Sequence, residues 1–457
     1  MNFSYLRREP GFYRRVFTLA LPVVLQNLIT TSLGFMDTFM VGLVGQEQMS
    51  AVTVANVPIY IIQLIVFGLQ SGSRVLISQF WGRGDRESIN RVMGIGFFVA
   101  GGISTLCALT MGLFPRQVLM LITDNARLVE LGTSYIRIVG FSYILNSLSS
   151  IYIGMQQSIE NPRFGMTVFA ISTVCNTVGN YILIFGKLGL PALGITGAAI
   201  ATFSSRVVEF VISLVYALHC KQMPLLPACI LRPGKATFRS FVKFSTPVLL
   251  NETLWGTGTS LYTVIMGHMA GSTDLISAYT VAGNIDKMVT VAIFGAAVIV
   301  GKEVGMGGKN AYPIGQALTF VAFCTGFGVA IAEQLLFWLV LKPHVLPLFS
   351  MTAASASLCV TMMICYSISA PLHAFATTGI VGVLRGGGDV RIAMLIDVLP
   401  LWCFTLPLLV LLGLVLHAPI AIFCFIMATE SALKVPFGLH RIRSGKWIHD
   451  VTQDLNA

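Results

Sequence analysis

Long apolar stretches alternate with short polar interruptions along the whole chain. The apolar stretches run over about 17–42, 52–80, 92–114, 131–156, 165–186, 193–218, 242–269, 276–304, 314–341, 354–383, 391–414 and 418–437. Each is long enough for a helix that crosses ~30 Å of hydrocarbon, which takes ~20 residues. None shows the strict alternation of a membrane barrel strand. The interruptions carry helix-breaking residues: Gly82 and Gly84, Pro191 and Gly194, and the run Gly386-Gly387-Gly388. The pattern predicts an all-α integral membrane protein with twelve transmembrane helices.

Composition points the same way. The 457 residues are 55% hydrophobic and 11% charged, against about 25% charged in soluble domains. A water-soluble fold could not keep its surface wet with so few charges. In lipid every backbone N–H and C=O must be paired internally, which a helix achieves alone. The first apolar run follows Arg14 and Arg15 and lacks a small-residue cleavage site, so it reads as the first span. The nine cysteines form no CxxC pair and read as small apolar packing residues.

Charge then sets the topology. Under the twelve-span scheme, twenty-one Lys and Arg fall on one side, against Arg116, Arg127, Lys187 and Lys342 on the other. The positive-inside rule puts both termini in the cytoplasm. The net charge of +10 follows from this bias and from contact with an anionic lipid bilayer. No basic stripe or motif points to nucleic acid.

The chain also repeats itself. Leu21-Pro22-Val23-Val24-Leu25-Gln26-Asn27 resembles Thr246-Pro247-Val248-Leu249-Leu250-Asn251-Glu252. Ala51-Val52-Thr53-Val54-Ala55 resembles Ala278-Tyr279-Thr280-Val281-Ala282, Phe67-Gly68 recurs as Phe294-Gly295, and Asn161-Pro162-Arg163 faces Asp389-Val390-Arg391. The offset stays within 225–228 residues. Two six-helix copies of one orientation are a transporter's layout, with the path between them. The expected domains are an N-lobe over 1–218, a cytoplasmic linker over 219–239 with Pro224, Pro227 and Pro233, and a C-lobe over 240–457.

Charges inside spans are costly and therefore mark function. Asp37, in Gly34-Phe35-Met36-Asp37-Thr38, lies deep in the first span with no Lys or Arg within a turn or two. It reads as a protonatable or cation-binding carboxylate. Asn176 and Asn180 are four apart and share one helix face; Thr202, in a run of small residues, approaches from the next span. With Asp37 they form an oxygen-rich nest for a proton relay or Na⁺. Glu252 stands where the first half has Asn27, beside Gln26, and Asp397 lies two turns into the eleventh span, within reach of Arg391. These four, Gln26, Asn27, Glu252 and Asp397, are candidates for a substrate cavity or C-lobe charge. Arg206 and Glu209 are spaced to pair on one helix, Asp286 and Lys287 are adjacent, and His373 is a lone intramembrane histidine.

These residues resemble the multidrug and toxic compound extrusion (MATE) transporters, most closely the bacterial DinF-like branch. The resemblance rests on Pro22 with Gly34–Thr38, and on Gly82-Arg83-Gly84-Asp85. It continues in Asn176-Thr177-Val178-Gly179-Asn180-Tyr181-Ile182-Leu183-Ile184-Phe185-Gly186, Gly194–Thr202 and Leu384-Arg385-Gly386-Gly387-Gly388-Asp389. It implies two six-helix lobes around a central cavity. It further implies export of amphipathic organic cations or drugs in exchange for H⁺ or Na⁺, without an organic cofactor. The expected setting is the bacterial plasma membrane, with the monomer as the working unit. Asp37 matches the family's first-helix carboxylate, and Asn176 and Thr202 match polar positions of its N-lobe cation site. Asn180 stands where several relatives have Asp. His373 or Ala374 falls near a position that is acidic in many relatives, and Glu252 lies about one turn before the seventh-span Glu of other branches. Asp397 supplies a C-lobe charge instead. A flippase for lipid-linked oligosaccharides would share this layout but need a cavity rich in Arg or Lys, and a narrow-substrate metabolite exporter would share it outright. A channel or receptor has no reason for the duplication with buried acids, and a membrane enzyme would need a catalytic constellation that the sequence lacks.

Overall fold

The computed structural model describes residues 11–451, apart from 123–124, 270–273, 276–277, 280, 284–285, 287–295, 307, 309 and 346–352. Among them are α1 (Phe12–Gly42), α2 (Gln46–Arg83), α3 (Arg86–Leu113), the short α4 (Pro115–Met120), α5 (Ala126–Ser158), α6 (Pro162–Phe185) and α7 (Gly194–His219). The short α8 (Pro227–Leu231), α9 (Lys235–Gly267), α10 (Ala296–Gly305) and α11 (Ala311–Leu336) follow. Then come α12 (Ala353–Ala376), α13 (Val390–Pro400, continuing with π-helical turns to Val415) and α14 (Ile420–Arg443). No strand occurs among the described residues; one isolated bridge joins Gly388 and Ile448.

Ten of these helices are long and apolar enough to cross a membrane. α9, 33 residues long, covers the expected seventh span but is not one of the ten. Most of the expected eighth, with Phe294-Gly295 and Lys287, lies outside the described residues; α10 is its described end. Large apolar side chains stand exposed along the spans, among them Leu106, Leu218, Ile331 and Phe404. On a soluble protein so many would mark a contact surface; here they suit a lipid exterior.

The helix ends follow local chemistry. α2 stops at Gly84, whose φ of 74° is the left-handed conformation glycine adopts without strain. Asp85 then caps α3, its Oδ1 accepting from the Ser88 N–H at 3.0 Å. The glycine run 386–388 is a seat for the C-terminal tail. A Cβ on Gly387 would collide with the ring of Trp447, Gly388 has a φ of +92°, and the His449 N–H donates to the Gly387 carbonyl at 2.7 Å.

The contacts divide the described residues into two units: one within 25–249, the other within 11–24 and 250–451. Both boundaries fall two residues after a helix proline, Pro22 in α1 and Pro247 in α9. A proline inside a helix removes a backbone hydrogen bond and loosens the rod there. The boundaries at 24/25 and 249/250 are themselves 225 residues apart, so the repeat offset is built into the architecture. In the N-unit (25–249) the core gathers Val41, Ala55, Ile59, Ile136, Val139 and Ala199. The C-unit has two cores, one around Met266, Phe337, Leu401 and Phe423, the other around Val300, Ile380, Leu384 and Trp447. The segment 219–239 is packed on α3. Asn90 donates to the Pro224 carbonyl and accepts from the Leu226 N–H, and Gly94 admits the Ile230 backbone.

Candidate functional site

In the N-unit, α1, α6 and α7 bring four predicted residues together. Asn180 Nδ2 donates to Asp37 Oδ1 at 2.6 Å and to Asn176 Oδ1 at 3.0 Å. Asn176 Nδ2 in turn donates to Thr202 Oγ1 at 3.3 Å. The helical spacing of four residues stacks the two amides on one face. Gly197 lets α7 close on α6, because a Cβ there would stand 2.5 Å from the Leu183 carbonyl oxygen. Asn176 and Asn180 are each only 1% exposed, and Asp37 is half-buried.

The donor directions matter. A carboxylate accepts only, so it fixes Asn180 with its NH₂ toward Asp37, and that orientation fixes Asn176 in turn. Both amide hydrogens of Asn180 are thereby used, and its Oδ1, buried, has no hydrogen-bond partner. An orphaned buried acceptor beside a carboxylate, an amide oxygen and a hydroxyl is a set of hard oxygen donors, suited to a proton or an alkali cation. Arg206 is committed elsewhere. It pairs with Glu209 at 2.7 Å, as their spacing predicts, and Glu209 also accepts from Asn146 and Ser172.

Gln26 and Asn27 do not join this nest. They lie eleven and ten residues before Asp37, roughly 15 Å away along an α-helix. Gln26 Oε1 accepts from Gln157 at 2.9 Å. The Asn27 carbonyl accepts from Thr30.

The C-unit holds a second buried polar network. Arg385 donates to Glu252 at 2.6 Å, and Lys434 reaches Asp397 at 2.7 Å and Glu430 at 2.6 Å. Asn251 Nδ2 donates to Asp397 at 2.8 Å and the Tyr262 hydroxyl to Glu430 at 2.7 Å. Glu252 and Asp397 thus meet through Arg385, whose second nitrogen lies 3.8 Å from Asp397. The partner of Asp397 is not Arg391, as the helix spacing implied, but Lys434 from α14. Lys434 and Arg385, two of the twenty-one charges that the positive-inside count puts on the cytoplasmic side, are both buried. The signal available was Lys434's position four residues after Glu430 in an apolar run. His373 Nδ1 lies 3.4 Å from Ser431 Oγ and its Nε2 3.5 Å from Thr377 Oγ1, beside rather than inside the network.

The two networks keep the repeat's register. At an offset of 225, Gln26 and Asn27 correspond to Asn251 and Glu252. At 228, Gln157 corresponds to Arg385, and the same turn follows both: Glu160 N–H to Gln157 carbonyl in one, Gly388 N–H to Arg385 carbonyl in the other. Residues 160 and 388 both have positive φ. One copy joins these helices by an amide pair at Gln26, and the other by an ion pair at Glu252, one position on from the counterpart of Gln26.

A duplicated helical fold with membrane-length spans and a buried polar network inside each copy is the layout expected of a polytopic transporter. The family model MatE matches residues 22–182. The Thermotoga maritima protein named "Probable multidrug resistance protein NorM" is 24% identical over 315 residues, 67% of this chain and 67% of that one. The "Uncharacterized transporter YisQ" of Bacillus subtilis is 23% identical over 443 residues, 95% and 94% of the two chains. Among solved structures, a MATE in complex with MaL6 superposes with a TM-score of 0.84 at 16% identity, covering 97% of this chain and 99% of that one. A MOP superfamily transporter from Pyrococcus furiosus gives 0.82 at 15% identity, covering 97% and 98%. Its binding pocket is described as of reverse polarity, suggesting a different function. The chain is thus similar to MATE transporters in sequence over residues 22–182 and shares the all-α fold of the solved MATE structures.

Proposed function

We propose that the chain is a secondary antiporter exporting amphipathic organic cations in exchange for H⁺ or Na⁺, with Asp37 as the coupling carboxylate. The observation that carries this reading is the nest of Asp37, Asn180, Asn176 and Thr202, in which the carboxylate is held by an amide rather than a cation. An ionised Asp37 attracts a cationic substrate. Arrival of H⁺ or Na⁺ at the carboxylate removes that charge, weakens the hold on the substrate and changes which helix arrangement is favoured. Loss of the ion on the other side restores the carboxylate for the next cation. The multidrug name of the Thermotoga maritima relative supports the substrate class. The Lys and Arg asymmetry supports a bacterial plasma-membrane setting with both termini in the cytoplasm.

A flippase for polyanionic lipids is the competing reading within this fold. It would need basic groups open to substrate. Arg385 and Lys434 are 3% and 5% exposed, whereas their carboxylate partners Glu252, Asp397 and Glu430 are 14%, 12% and 10% exposed. The acids are the more exposed member of each pair, which favours cations.

The deciding experiment is ethidium efflux from proteoliposomes under an imposed pH gradient and, separately, an imposed Na⁺ gradient. Efflux driven by either one establishes coupled export and names the ion. No efflux under either gradient, from folded protein, turns the reading toward a flippase or a narrow-substrate exporter.

A further inference from the structure

Glu333 is a buried carboxylate that belongs to neither network. It stands in the last turn of α11, is 0% exposed, and lies one turn before Phe337 in the apolar core around Met363 and Leu401. α11 and α12 pack closely there: a Cβ on Gly326 would stand 2.5 Å from the Pro371 Cα. The hydrogen bonds around Glu333 run one way. Gln334 Nε2 donates to the Met363 carbonyl at 3.1 Å and to Ser367 Oγ at 2.7 Å. Ser367 has a single hydroxyl hydrogen and gives it to Glu333 Oε2 at 2.9 Å. Oε1 of the same carboxyl is buried and has no hydrogen-bond partner.

Among the described residues no Lys, Arg or His pairs with Glu333. The charged group that acts on it is Asp286, a half-buried acid of the expected eighth span. The titratable groups around the two are Tyr279 and Tyr366, which Asp286 also reaches, and Glu430, which Lys434 holds at 2.6 Å. An ionised Glu333 would be a charge in an apolar core with one hydrogen bond, no base and a second acid facing it. Desolvation and like-charge repulsion both oppose that state. A proton on Oε1 removes the charge and leaves Oε2 as the acceptor for Ser367. The arrangement is confined to one copy. The apolar stretches 52–80 and 92–114, which the repeat sets against the eighth and ninth spans, contain no Asp or Glu.

We propose that Glu333 is a proton-binding site of the C-unit, carrying its proton on Oε1 and linked to the charge on Asp286. Neutralising Asp286, by a bound cation or by substitution, weakens the hold on that proton. The site stands whether or not Asp37 couples efflux.

The test is infrared difference spectroscopy on the full-length protein in lipid, with Asp37→Asn as the common background so that Asp37 contributes nothing. Subtracting Glu333→Gln at neutral pH should leave the carbonyl stretch of one protonated carboxyl, which moves down in D₂O. Ser367→Ala should shift that band to higher frequency, because the carbonyl oxygen Oε2 loses its donor. Asp286→Asn removes the opposing charge and should weaken proton binding about tenfold, so that the band fades at a lower pH. Should Glu333→Gln not fold, the displacement by Ser367→Ala identifies the same band without touching Glu333. A spectrum with no protonated-carboxyl band lost with Glu333 or displaced by Ser367→Ala overturns the proposal. So does loss of the band on adding Na⁺ at constant pH, which would make this an alkali-cation site. A band indifferent to Asp286→Asn overturns the link to Asp286.

Discussion

Asn180 Nδ2 stands 2.6 Å from Asp37 Oδ1, joining residues 143 apart in sequence through an amide that is itself oriented by the carboxylate. A charge in hydrocarbon needs a partner, and a cation would hold Asp37 ionised through the cycle. A neutral amide stabilises the ionised form while leaving an acceptor open for an exchangeable ion. Amides and a hydroxyl surround Asp37, while Lys434 and Arg385 neutralise Glu252, Asp397 and Glu430 in the C-unit.

Asp37→Asn keeps the shape and the contact with Asn180 but removes the exchangeable charge. Stability should change by no more than about 1–2 kcal/mol, while gradient-driven ethidium efflux falls to the leak of empty proteoliposomes. Efflux at the native rate in this variant removes Asp37 from the coupling role.

Asn180→Asp places a second carboxylate against the first. Two like charges this close cannot both ionise unless a cation sits between them. The Na⁺ concentration giving half-maximal efflux should fall by about tenfold, equal to ~1.4 kcal/mol. A Na⁺ response identical to that of the native protein would separate Asn180 from the ion site.

The nest was legible because its logic is local. A carboxylate in an apolar span, two amides four residues apart and a small-residue run before Thr202 each signal themselves in a single helix. The C-unit network was not legible in the same way. Its pairs join residues 133 and 146 apart, Arg385 with Glu252 and Asn251 with Asp397, and an apolar run cannot say which distant helix supplies the partner. Lys434 and Arg385 looked like loop charges because they lie near the polar ends of their spans. The prolines Pro22 and Pro247 were visible as a repeat, but their place at the unit boundaries depends on packing.

Trp447 is fully buried against Gly315 and Gly387, with its Nε1 donating to the Ile442 carbonyl at 3.0 Å. Trp447, beyond α14, is therefore part of the C-unit core. Trp447→Ala should destabilise by about 3–5 kcal/mol, read as a lower melting temperature in detergent. A loss below ~1 kcal/mol would mean that the tail is dispensable to the fold.

The repeat itself predicts the outcome of a double-mutant cycle at Glu252 and Arg385. Removing one member of a buried ion pair strands the other charge, at a cost of about 3–5 kcal/mol. Arg385→Gln and Glu252→Gln should each destabilise on that scale. The double variant is a neutral amide pair like the one the N-unit uses one register position away, at Gln26 and Gln157. It should therefore recover most of the loss, giving a coupling energy of at least ~2 kcal/mol. Additive losses would show that Glu252 and Arg385 do not stabilise the fold as a pair. Recovery of stability with loss of efflux would assign the charges of this pair to transport rather than to folding.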